Sequence, residues 1–273
     1  MREIIISSKS KGGIGYWQDL WRARELLFFL AWRDVVVKYK HAVLGILWTV
    51  LRPVLTTIAF TLVFGKIAKL PAGEIPYYLL VLSGVIPWFF FSTTVSEAGN
   101  SMVANSALIT KVYFPRLIVP ASIVLANLLD FAVAAILLVL IMAVSGFTPS
   151  MTVFLLPAVV LVLLILSVST GLLVSALNAK YRDVQYLIPF IITFGQYISP
   201  VGFATSVVPT QWIWLFQLNP LVGIIDGIRW SLFGNAYLFN PWSLLYSFIV
   251  SVVLLFAGIA YFRSVEKEIV DVL

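Results

Sequence analysis

Arg52 and Asp130 are charges set in stretches otherwise fit for hydrocarbon. Arg52 lies about nine residues into the apolar run 43–65, and Asp130 lies near the middle of the run 118–145. A charge at such a depth costs about 3 kcal/mol or more unless it finds a partner, so each is a candidate for function. Both are expected to face the interior of a helix bundle. They are candidates to pair there, supporting the packing or orienting a polar headgroup. Arg52, followed by Pro53, could instead snorkel towards an interface.

The rest of the chain holds few tools for catalysis. It has no cysteine, which excludes disulfides, thiol nucleophiles and cysteine-ligated metals. The sole histidine, His41, stands beside the first apolar run, where an interfacial place is expected rather than a ligand role. The acids are scattered over different runs and loops, with no D-x-D pair or His/Asp cluster. Neither a general acid/base pair nor a metal site is therefore expected. No G-x-x-x-x-G-K-S/T loop exists to cradle nucleotide phosphates.

The elements that must position these residues are membrane helices. Only 11% of the residues are charged and mean hydropathy is +1.03, whereas a soluble domain carries roughly 25% charge. Crossing a ~30 Å hydrocarbon core takes about 20 apolar residues. Six runs qualify: 43–65, 77–97, 118–145, 151–177, 184–206 and 242–262. Residues 207–241 are apolar but chopped by Pro209, Asn219-Pro220, Gly223, Gly227, Gly234 and Pro241. Such short pieces suit a re-entrant or interfacial helical hairpin, sheltered by protein or facing water. Its marked residues are Trp212, Trp214, Asn219 and Arg229; Asp226 and Arg229, three apart, can pair on one helical face.

The N-terminal sequence "MREIIISSKSKGGIGY" lacks the apolar core and cleavage site of a signal peptide. Residues 16–40, "YWQDLWRARELLFFLAWRDVVVKYK", carry seven charged side chains through Lys38, too many for a span. Trp17, Leu20, Trp21, Phe28, Ala31 and Val35 recur at helical spacings, which predicts an amphipathic helix in the membrane interface. Basic residues fix the orientation. Eight Lys and Arg precede His41, and Lys111, Arg116, Lys180, Arg182, Arg263 and Lys267 fall on the same side, against Lys66, Lys69 and Arg229 opposite. Both termini are therefore expected to be cytoplasmic. The net charge of +6 reflects this topology and not nucleic-acid binding.

Two cytoplasmic loops stand out. "ALITKVYFPRLIVP" (107–120) carries Lys111 and Arg116 and breaks at Pro115, which disfavours helix at Phe114. It reads either as a plain connecting loop or as a short helix, roughly Asn105–Tyr113, offering an apolar tip and a cation to a soluble partner. The loop "LNAKYRDVQYLIP" (176–189) repeats the chemistry with Lys180, Tyr181, Arg182 and Asp183.

The ordered segments "LGILWTVLRPVL" (44–55), "SGVIPWFFFS" (83–92), "KVYFPRLIVP" (111–120), "NAKYRDV" (178–184) and "LNPL" (218–221) carry a resemblance. The chain resembles the permease subunit of type-2 ABC exporters, in particular the branch that exports O-antigen, capsule and teichoic-acid polymers. The likeness covers nearly the whole chain. It implies an all-α integral membrane protein of one domain, 1–273, with six transmembrane helices, the interface helix and the outer re-entrant hairpin. It further implies a homodimer in a bacterial inner membrane, bound to two copies of a separate nucleotide-binding ATPase subunit that holds ATP and Mg. This chain would bind no cofactor and would not be an enzyme by itself.

By the same resemblance, residues 100–116 form a coupling helix whose contacts are Asn105, Leu108, Lys111, Phe114 and Arg116. Lys180, Tyr181, Arg182 and Asp183 belong to a cytoplasmic gate helix around 178–188, and the 207–241 hairpin caps the outer exit. The cargo implied is a lipid-linked polysaccharide, O-antigen first, with capsular polysaccharide or teichoic acid as alternatives. Sugar polymers offer hydroxyls and C–H faces, so weakly binding aromatic walls suit them, as release matters as much as capture. Tyr77, Trp88, Phe89 and Phe90 are the aromatics assigned to such a lumen. Two other classes compete: a proton-coupled secondary transporter using Asp130, and a membrane enzyme acting on lipid-linked sugars. The first lacks a relay partner and an internal repeat, and the second lacks the acid pair.

Overall fold

A computed structural model describes residues 14–40, 45, 47–181 and 183–272. The leader before residue 14, His41 and Arg182 lie outside them. All regular structure among the described residues is helical. The helices are α1 (Ile14–Arg22), α2 (Arg24–Lys40), α3 (Leu47–Phe60), α4 (Tyr77–Ala104), α5 (Ser106–Lys111), α6 (Ile118–Val144), α7 (Leu156–Lys180), α8 (Val184–Tyr197), α9 (Ile213–Gln217), α10 (Pro220–Phe233) and α11 (Pro241–Val272).

Five helical stretches are long and apolar enough to cross a membrane: Leu47–Ile67, Tyr77–Ala104, Ile118–Val144, Met151–Lys180 and Pro241–Glu266. The first extends α3 through a π-helical turn, Thr61–Ile67, and the fourth precedes α7 with a 3-10 turn, Met151–Leu155. The run 184–206 behaves differently. Its helix α8 has 14 residues, about 21 Å at 1.5 Å per residue and short of a ~30 Å core. The chain then turns at Ser199-Pro200 and Gly202, because proline cannot donate to the helical ladder. The interface helix expected over 16–40 is likewise two helices, parted at Ala23. Its anticipated stripe divides: Ala31 is buried, whereas Trp17, Trp21 and Phe28 are exposed.

α4 is the hub. Of its apolar window 78% is buried inside the protein, against 11% to 28% for the other four stretches. α6, α7, α3, α8 and α10 surround it, and α11 packs on α7 and α10. The main core gathers Leu79, Leu80, Val85, Leu163, Leu166 and Ile224. A second, at the end where α4 runs into α5, gathers Leu30, Met102, Ile109, Phe114, Leu117 and Phe262. Without a hydrophobic drive between helices in lipid, close approach through small residues does much of the packing. Gly223 illustrates this, since a Cβ there would overlap the Ser243 carbonyl of α11. Several buried serines are satisfied within their own helices, as Ser167 donates to Leu163 and Ser251 to Ser247.

Candidate functional site

The segment after α4 combines anchored and projecting side chains. α5 has six residues, Ser106–Lys111, shorter than the helix expected over Asn105–Tyr113. Asn105 ends α4: its amide donates to Ser101 O at 2.9 Å, and its Oδ1 accepts from Arg33 of α2 at 3.1 Å. Leu108 packs on the second core, where Phe114 is 9% exposed. Arg116 also turns inward. Its guanidinium donates to the Glu266 carbonyl of α11, and its backbone N–H reaches Glu266 Oε1 at 3.3 Å. Arg263, on the same helix, lies 4.8 Å over the Tyr16 ring of α1. Burial and the adjacent Glu266 carboxylate hold the Tyr16 phenol well above its ordinary pKa. The projecting residues are Lys111, Val112 and Tyr113, the last 82% exposed. Val112 is extended, with φ −124 and ψ 132. Adjacent side chains in extended backbone point apart, and here Tyr113 projects while Phe114 turns into the core.

The second basic loop holds no helix of its own among the described residues. Lys180 ends α7, with its Nζ 6.0 Å from the Tyr181 ring, and Asp183 immediately precedes α8. Arg182 is not described. Asn178, one turn back and buried, donates to Gly99 O and to Asn100 Oδ1, both at 3.0 Å, which ties α7 to α4.

Of the four aromatics assigned to a lumen, three are engaged within the protomer. Tyr77 donates to Gly202 O at 2.8 Å. Trp88 is 2% exposed and lies against Gly195 of α8. Phe90 packs on Phe131, with ring centroids 5.2 Å apart. Phe89 faces a cavity and carries the Arg52 guanidinium 4.6 Å from its ring centroid. An exposed aromatic stripe runs along α8 instead. Tyr186, Phe190, Phe194 and Tyr197, at steps of four, four and three, are all more than half exposed, and the Phe190 and Phe194 rings stack at 6.3 Å and 7°. Ile188 and Gly195 occupy the opposite side, towards α4.

At the far end, the short helix α9 leaves Trp212 and Trp214 exposed. Asn219 caps α10. Its Oδ1 accepts from Leu221 N at 3.0 Å, and its amide donates to Ser199 Oγ at 2.8 Å. Arg229 is fully buried. It donates to the carbonyls of Leu80 at 2.9 Å, Phe203 at 3.0 Å and Val201 at 3.3 Å, with Asp226 3.9 Å away. The Asp226 carboxylate accepts a bond of 2.6 Å from Tyr237. This cluster satisfies the backbone where α8 has ended, so its geometry is that of a staple.

Arg52 and Asp130 do not pair. Asp130 accepts from Lys38 of α2 at 2.5 Å and from the Tyr39 hydroxyl. Lys38 also approaches Asn127 at 3.3 Å and Glu97 at 3.8 Å. Nothing in the sequence singles out Lys38 or Tyr39 within the basic interface helix. Both charges line one cavity of about 460 Å³ between α2, α3, α4 and α6. Among the described residues no group of three His, Cys, Asp or Glu could hold a metal ion.

Residues 25–233 match the family described as ABC-2 type transporter. The chain belongs to this family. It is 29% identical over 256 residues to the O-antigen export system permease protein RfbA of Myxococcus xanthus, covering 93% of this chain and 97% of that one. It is 28% identical over 271 residues to the protein of that name from Klebsiella pneumoniae, covering 98% and 100%. The polysialic acid transport protein KpsM of Escherichia coli is 28% identical over 241 residues, covering 86% and 91%. The ABC-2 chain is thus a multi-pass membrane permease, as its motifs led one to expect.

Proposed function

We propose that this ABC-2 permease forms the channel of an ATP-driven exporter that moves a lipid-linked polysaccharide, O-antigen first, across a bacterial inner membrane. The observation that carries the reading is end-to-end similarity to two O-antigen export permeases. The chain pairs with itself, and two copies of a nucleotide-binding ATPase subunit hold ATP and Mg beneath it. Both termini are cytoplasmic, in keeping with the bias of Lys and Arg. α8 and the turns after it make the sixth crossing, and α9 and α10 form the outer hairpin.

The exposed residues sort by these roles. Lys111, Val112 and Tyr113 contact the motor, while Asn105, Phe114 and Arg116 hold the segment that carries them. The α7–α8 connection, with Lys180, Tyr181, Arg182 and Asp183, lies at the cytoplasmic gate. The α8 aromatics line the lumen at the dimer interface, where stacking on sugar C–H faces gives weak, sliding contact. Similarity to a polysialic acid transport protein supports capsular polysaccharide as the second reading.

The test is purification of the tagged chain from its native membrane in mild detergent, with mass spectrometry of what accompanies it. A dimer with a stoichiometric Walker-motif subunit is expected, and deletion should strand lipid-linked O-antigen inside the cell. Loss of capsule with O-antigen intact would select the second reading. A stable monomer without an ATPase would overturn both and turn attention to Asp130.

A further inference from the structure

The cavity between α2, α3, α4 and α6 belongs neither to the coupling segment nor to the α8 face. Its volume of about 460 Å³ falls within the ~300–1,000 Å³ of small-ligand sites. That suits a headgroup with the first part of its chain. The walls are graded. Lys38, Tyr39, Thr49 and Asn127 make one end polar, and Ile86, Phe89, Phe90, Phe131 and Ala134 make the other apolar.

Arg52 lines the same cavity, its guanidinium over the Phe89 ring. Arg33, Arg116 and Arg229 each hold an acceptor. Arg52 has the Phe89 ring and no hydrogen-bond or ion-pair partner among the described residues. A guanidinium carries five donors and cannot shed its charge in a protein. Set in a membrane span with only a ring face beneath it, it calls for an anion. The acids nearby are committed elsewhere, since Asp130 and Glu97 both face Lys38. They would repel an anion at the Lys38 end, which places the ligand's charge on the Phe89 side. Thr49 stands one helical turn before Arg52, and its hydroxyl, 3.2 Å from that of Tyr39, donates to the Tyr39 oxygen because Tyr39 gives its own proton to Asp130.

We propose that this cavity binds the phosphate of an anionic lipid, with Arg52 as the bidentate cation and the Phe89–Phe131 end receiving the start of the chain. The planar fork of arginine matches phosphate geometry in a way lysine cannot. Two sources share this chemistry: a bilayer phospholipid and a polyisoprenyl diphosphate carrier. The site requires only that α3 and α6 span a bilayer, and the carrier source alone rests on the function proposed above.

The experiment is native mass spectrometry and thermal melting of the purified full chain, delipidated and then titrated separately with phosphatidylglycerol, farnesyl diphosphate and diacylglycerol. Wild-type protein should bind one phosphatidylglycerol or one farnesyl diphosphate, melt higher with it, and ignore diacylglycerol. Arg52→Gln should weaken binding about tenfold or more, some 1.4 kcal/mol, with its lipid-free melting point unchanged. Arg24→Gln, whose guanidinium lies over the Trp21 ring outside the cavity, should bind like wild type. Thr93→Phe, which fills the cavity while keeping its charges, should also lose binding and serves if Arg52→Gln does not fold. Preference for phosphatidylglycerol marks a resident phospholipid, and preference for the prenyl diphosphate marks the carrier. Equal binding by wild type and both cavity variants, or none by wild type, would overturn the site even where the ATPase co-purifies.

Discussion

Arg116 reaches across to α11 and donates to the backbone carbonyl of Glu266. The segment that would meet a motor is thus fastened to the last helix on one side and to α2, through Asn105 and Arg33, on the other. A push on Tyr113 therefore has a route into two helices. Arg116→Ala removes the fastening and leaves a carbonyl to find water, a cost of about 1–3 kcal/mol. It should lower the melting point modestly and uncouple ATP hydrolysis from export while the ATPase still co-purifies. Tyr113→Ala should do the reverse, losing the ATPase with stability unchanged. Pull-down ratios and melting curves on the two variants separate the roles.

Among the described residues, Arg229 is the one cation buried without any exposure, and it serves three carbonyls from two segments. Removing one partner of such a group strands the others in a dry environment and costs about 3–5 kcal/mol. Arg229→Met should therefore lower the melting point of the detergent-solubilised protein further than Arg116→Ala does. Arg229→Lys should rescue little, because an ammonium cannot fork between acceptors so placed. A melting point near wild type for Arg229→Met would show that the staple is dispensable.

Membrane class, the five long helices and the two basic loops were legible because hydropathy and charge are local properties. α8's end was not. Residues 184–206 stay mostly apolar, and two of the carbonyls left after Tyr197, those of Val201 and Phe203, are satisfied by an arginine 26 residues beyond Phe203. Asp130's partner was hidden for the same reason, as Lys38 stands 92 residues before it. The α8 stripe was present as spacing, but a membrane helix is apolar all round, so periodicity could not say which side is buried. Trp88 and Phe190 looked alike in sequence, and packing separated them.

That separation makes a prediction. Trp88→Ala opens a cavity against Gly195 and should cost about 3–5 kcal/mol, visible as a lower melting point. Phe190→Ala and Phe194→Ala touch an exposed face, and each should shift stability by no more than about 0.5 kcal/mol. If α8 lines the lumen, the double variant should nevertheless slow export, read as O-antigen reaching the cell surface. Normal export by the double variant would remove α8 from the pathway.

Asp130 decides between motor-driven and proton-coupled transport. It is held by Lys38 and Tyr39, a tie between α2 and α6, and Lys38 is itself shared with Glu97. A proton carrier must let its carboxylate load and unload during each cycle, whereas a tie must keep its partners. Asp130→Asn preserves shape and the bond from Tyr39 while weakening the pair with Lys38. The expected outcome is a stability loss of about 1 kcal/mol or less for such a partly exposed pair, with export intact and still dependent on ATP. Abolished export in Asp130→Asn, at unchanged protein level and with the ATPase bound, would instead make Asp130 a working part of the transport cycle.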